Sequence, residues 1–121
     1  MKAPFKTLLL ITILVVFSLF ALRTADVGKE SKEKLCQQAI ATMEKNDFGA
    51  AQKLLGQALQ IDPQYAKANY ALAVCYLRAN PPDLKKAVEC RDKAKALGYV
   101  IPVWFENYFK KVQVSVGKEH K

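Results

Sequence analysis

The stretch ALQIDPQYAKANYALA ends one helix at Asp62-Pro63 and starts another within a few residues, and that interruption limits what the chain can fold into. Proline has no N–H for the helical ladder and restricts the residue before it, so the first helix cannot continue. Helical spacing resumes from about Gln64 to Ala79, so a second helix must fold back against the first. Similar breaks fall at Asn46-Asp47, at Pro81-Pro82-Asp83 and at Gly98. They divide residues 33–97 into four helices, with Asp47 and Asp83 as N-caps and Gly98 as a C-terminal stop. A fifth begins at Pro102, where the missing donor costs little, and carries Trp104, Phe105, Tyr108, Phe109 and Val112 on one stripe. No strand period appears with any strength. The run VQVSVG, 112–117, alternates only briefly and reads as helix end or disorder.

The helices repeat. Leu35, Ala39 and Thr42 correspond at a shift of 34 to Asn69, Ala73 and Tyr76. Phe48, Ala51 and Ala58 correspond at a shift of 36 to Leu84, Ala87 and Ala94, the extra residues lying in the proline turn. The same shift carries Asn69, Leu72, Ala73 and Tyr76 onto Phe105, Tyr108, Phe109 and Val112. Alanines at such positions let helix axes approach to about 8–10 Å. A period of 34, small residues at the crossings and a proline between hairpins resemble the tetratricopeptide repeat. Ala39 and Ala51 meet the family's first-helix and second-helix roles, and Ala58 stands five residues before Pro63, as the family's second-helix alanine does.

The resemblance implies an all-α fold of two helical hairpins, 32–65 and 66–99, closed by a capping helix over 100–116 and followed by a disordered tail, 117–121. The second hairpin is the looser match, with Tyr99 in place of the closing proline and an expanded turn. It also implies a concave groove lined by the first helix of each hairpin. One strip of that groove is Cys36, Ile40 and Met43, with Glu33 and Glu44 at its rim. The other is Tyr70, Val74 and Leu77, with Lys67 and Arg78 at its rim. An apolar centre with a charged border suits a peptide or a helix of a partner protein, or a second copy of the chain. The family's chaperone-binding members grip an acidic carboxyl terminus with lysines and asparagines; here Cys36, Ile40 and Ala71 occupy matching positions, so that clamp is absent.

Residues 7–22, TLLLITILVVFSLFAL, carry no charge and follow Lys2 and Lys6. Such a segment reads as a membrane anchor or an export signal over 1–25, joined by a polar tether, 26–31, with Ser31 as the N-cap of the first repeat. The expectation is a single-pass membrane protein with its carboxyl-terminal domain extracytoplasmic, or a secreted or periplasmic soluble protein if the segment is removed.

Chemistry has little to work with. The one histidine, His120, sits near the end of the chain. Cys36, Cys75 and Cys90 form no CxxC and are odd in number, so neither a disulfide framework nor a zinc site is signalled; the expectation is buried free thiols, with one bridged pair as the alternative in an oxidising compartment. No glycine-rich phosphate loop is present. The basic run Lys85, Lys86, Arg91, Lys93 and Lys95 wraps a helix without aromatic interleaving, so nucleic acid is not expected as a partner. Neither an enzyme activity nor a cofactor, metal or small-molecule substrate is expected; the reading is an adaptor or scaffold for protein–protein interaction.

Overall fold

The computed structural model describes residues 5–119, with the side chains of 7, 9–19 and 31–118. Five α-helices follow one another among these residues: α1 Phe5–Glu44, α2 Phe48–Ile61, α3 Ala66–Arg78, α4 Leu84–Ala96 and α5 Val103–Glu119. No strand occurs among the described residues. The chain divides into two units, Met1–Ser31 and Lys32–Lys121.

Each turn in the second unit has a local cause. At the end of α1, Asn46 takes the left-handed conformation, φ 59°. The Asn46 and Asp47 N–H groups donate back to the Met43 and Thr42 carbonyls at 2.9 and 3.1 Å. That is a Schellman ending with asparagine in the place glycine usually takes. Asp47 then caps α2, its Oδ1 accepting from the Ala50 N–H at 3.1 Å. Asp62 closes α2 by donating its N–H to the Ala58 carbonyl, and its Oδ1 accepts from the Gln64 N–H at 3.0 Å. Its Oδ2 takes a hydrogen bond from Lys32 of α1, whose ammonium also lies over the Tyr65 ring. The Lys32 hydrogen bond, followed by the Gln64 N–H, holds the Asp62 carboxyl below its usual range. Asn69, 2% exposed, donates to the Tyr65 and Pro63 carbonyls, so the buried amide of α3 pins the turn that precedes it.

The core lies on both sides of α3. Ala68, Ala71 and Cys75 pack with Cys36 and Ala39 of α1 and with Ala51, Leu55 and Ala58 of α2. Ala73, Val74 and Leu77 pack with Ala87 of α4 and Phe105 of α5. An apolar helix surface of this extent needs cover around most of its circumference, and α2, α4 and α5 supply it. Arg91 ties α5 down: its Nη1 donates to Glu106 Oε2 at 3.1 Å while its guanidinium lies 5.5 Å from the Phe109 ring centroid.

Three expectations change. Residues 26–31 are helical, within α1, and Ser31 is not an N-cap. The segment lacks proline, and the single Gly28 costs a helix only about 1 kcal/mol, too little to impose a tether. Likewise α5 runs through 112–117 to Glu119, because a brief alternation cannot outweigh continuation of a helix already nucleated and packed. His120 and Lys121 lie outside the described residues.

The third correction concerns location. Among the described residues no helix is long and apolar enough to cross a membrane, which overturns the expectation of a single-pass membrane protein. The uncharged run 7–22 is sixteen residues, about 24 Å of helix at roughly 1.5 Å per residue, against a hydrocarbon core of about 30 Å.

Ala58 has no exposed surface at the α1/α2/α3 crossing. Ala58→Leu should therefore overpack the hairpin and lower unfolding free energy by about 1–3 kcal/mol in urea denaturation followed by circular dichroism.

Candidate functional site

A cavity of about 390 Å³ opens between the carboxyl-terminal end of α1 and α3. Its α3 side is one helical stripe, Lys67, Tyr70, Ala71, Val74 and Arg78, at offsets of three, four, seven and eleven residues. From α1 come Ile40, Met43 and Glu44, again within one turn and a half. Tyr99 and Trp104 complete the lining.

The aromatic wall is set by a turn. After α4, Gly98 takes φ 91° and its N–H donates to the Lys95 carbonyl, while the Tyr99 N–H donates to the Ala94 carbonyl, both at 3.0 Å. This Schellman ending turns the chain so that Tyr99 stacks on Tyr70 with ring centroids 4.6 Å apart and planes 21° from parallel. The Tyr70 ring also meets Phe105 at 5.8 Å, and Trp104 stands edge-on to Phe105 at 5.9 Å. Burial first, and the neighbouring Tyr99 second, push the Tyr70 phenol up to about 12, against the pull of Arg78. The Arg78 guanidinium lies 6.0 Å from the Trp104 ring centroid and 5.9 Å from that of Tyr108.

Six of the eight residues expected in the groove therefore meet in one place: Ile40, Met43, Lys67, Tyr70, Val74 and Arg78. Cys36 and Leu77 do not. Cys36 is fully buried between α1, α2 and α3, and Leu77, 1% exposed, lies in the core with Phe105. The groove stripe on α3 passes through Arg78 rather than Leu77, because α4 and α5 claim the Leu77 side. Tyr99 and Trp104 were not expected on the lining. The sequence signal for Tyr99 was the αL glycine before it, which fixes where the next side chain goes.

The thiols offer no nucleophile. Cys36, Cys75 and Cys90 are free, and burial pushes each thiol up, that of Cys75 to about 12 with Cys90 adding to the effect. At neutral pH they stay protonated. No group of three or more potential metal ligands comes together among the described residues.

Residues 42–84 match the family model of the tetratricopeptide repeat. Over that segment, about a third of the chain, the sequence is similar to the family, whose repeats are in general protein–protein interaction modules rather than catalytic ones. The matched segment starts in the last turn of α1, takes in α2 and α3, and ends at the first residue of α4, so it contains the whole α3 stripe of the groove. No curated protein and no solved structure matches the chain.

Two predictions follow from the aromatic wall. Gly98 has no atoms within 4 Å of where a Cβ would stand, so Gly98→Ala meets only the strain of a positive φ. It should cost about 1 kcal/mol in chemical denaturation, with Trp104 fluorescence reporting the displaced Tyr99. The second concerns Tyr70, whose phenol keeps its proton in the folded state to about pH 12 but releases it near 10 when unfolded. The stability it contributes is thus fully present below pH 10 and declines as pH rises from 10 to 12. Ultraviolet difference titration should show the latest tyrosine step disappearing in Tyr70→Phe.

Proposed function

We propose that this chain is a non-enzymatic adaptor that holds a segment of another protein in the cavity between α1 and α3. The observation that carries the reading is the lining itself. Ile40, Met43, Tyr70, Val74 and Trp104 form an apolar floor and wall, while Lys67, Arg78 and Glu44 stand at the edge. Apolar centres with polar rims are where interfaces concentrate their binding energy. Stacked helical repeats present such a surface on their concave side.

A photoreactive residue replacing Tyr70 should capture the partner in a native extract. Trp104 is 45% exposed and can be changed with little cost to the core, so Trp104→Glu should abolish that capture while helical circular dichroism is retained. Undiminished capture by a folded Trp104→Glu chain would move the binding surface elsewhere.

Self-association is the second reading, and α5 favours it. Val103 is 75% exposed beside half-exposed Trp104 and Tyr108, an apolar face at the end of the repeat array. Phe105 and Phe109 take no part, since they pack inward against α3 and α4. On this reading the sedimentation coefficient of the full chain rises with concentration and Val103→Glu restores the monomer; a concentration-independent monomer leaves the adaptor reading alone.

A further inference from the structure

The cations along the groove indicate the chemistry of what fits it. Lys67 and Arg78 are eleven residues apart on α3, close to three full turns at about 3.6 residues per turn, so both leave the same face of the helix. Their Cα positions are separated by roughly 16 Å along the axis, at about 1.5 Å per residue. Between them on that stripe lie Tyr70, Ala71 and Val74, so an apolar floor has a cation at each end. The ion pairs among the described residues involve Lys32, Lys86 and Arg91, and neither groove cation is in one of them. The Arg78 guanidinium lies about 6 Å from the ring centroids of Trp104 and Tyr108, cation–π contacts that consume none of its N–H donors. Glu44 is the one acid on the lining, so the site keeps a cationic excess.

We propose, resting on the peptide-groove reading above, that the occupant is an extended segment of a partner protein with internal acidic side chains on either side of a short apolar stretch. One carboxylate meets Lys67 and the other Arg78, while the apolar residues lie over Val74 and Met43. Charge complementarity selects the acidic ends, and the distance between the two cations sets the length: about five extended residues span 16 Å at roughly 3.3 Å each. Because the cations meet side chains, the segment needs no free carboxyl terminus, unlike the tails gripped by the clamp that this sequence lacks.

The test uses the full chain and Trp104, its one tryptophan, as the reporter on the lining. Three acetylated and amidated hexapeptides share a centre containing two leucines and carry Glu, Gln or Lys at both ends. The Glu-ended probe should bind about five- to tenfold more tightly than the Gln-ended one at low salt, with the Lys-ended probe weakest. Adding salt to about 0.5 M should remove most of the difference. The double variant Lys67→Gln/Arg78→Gln should lose the preference. Lys93→Gln/Lys95→Gln, the same change of charge at exposed positions on α4, should keep it, which separates the groove from general attraction to a chain of charge +8. Equal affinity for the three probes, or a preference that persists in the Lys67/Arg78 variant, overturns the acidic-segment inference while the groove reading stands. No saturable fluorescence change with any probe at millimolar concentration overturns both.

Discussion

The contacts of α3 with helices on both sides of it are the constraint on which the rest of the Lys32–Lys121 unit depends. Its thirteen residues contribute Ala68, Ala71 and Cys75 to one core and Ala73, Val74 and Leu77 to the other. Small side chains make this possible. Alanine at the crossings allows close approach of the neighbouring helices, and the larger residues Leu55, Leu77 and Phe105 then fill the space between hairpins. Among the described residues the helices make two hairpins, α1/α2 and α3/α4, where such stacks ordinarily need about three. The aromatic α5 makes up part of the shortfall, held by Phe105 in the core and by the Arg91–Glu106 pair at the edge.

The groove is what remains of α3 once those contacts are made. Packing against α2, α4 and α5 takes most of its circumference, and the uncovered stripe faces the last turns of α1. This explains why the stripe is apolar at its centre although it is open. Tyr70 and Val74 belong to a helix whose remaining sides are core, and only the ends of the stripe, Lys67 and Arg78, reach far enough to be charged. The aromatic wall is an equally direct result of backbone geometry, since the left-handed Gly98 points Tyr99 at Tyr70.

Much of this was legible in the sequence, and the limits of what was legible are physical. Asp47, Pro63, Asp83 and Gly98 fix helix ends through local hydrogen bonding and backbone restriction, which need no knowledge of the fold. The 34-residue recurrence of Ala39 at Ala73 placed the crossings. What periodicity could not settle was the rotation of α3: a run such as YALAVCYL has no polar face to mark the open side, so Leu77 reads as groove when it is core. Cys36 was misplaced for the related reason that a small apolar side chain suits either environment. The helical run through 26–31 was hidden because polar composition resembles a tether when no breaker is there to contradict it. Tyr99 depended on a tertiary approach between the end of α4 and the start of α3, which no local signal encodes beyond the glycine itself.

Sharing one helix between two cores also decides how the domain responds to whatever it holds. Neither hairpin can open without uncovering α3, so loosening one core removes support from the other and local openings become global ones. A ligand resting on the stripe of α3 therefore draws on the folding equilibrium of the whole domain, stabilising it by mass action in proportion to the logarithm of its concentration above the dissociation constant. In so short an array, occupancy of that stripe and foldedness are two readings of a single equilibrium.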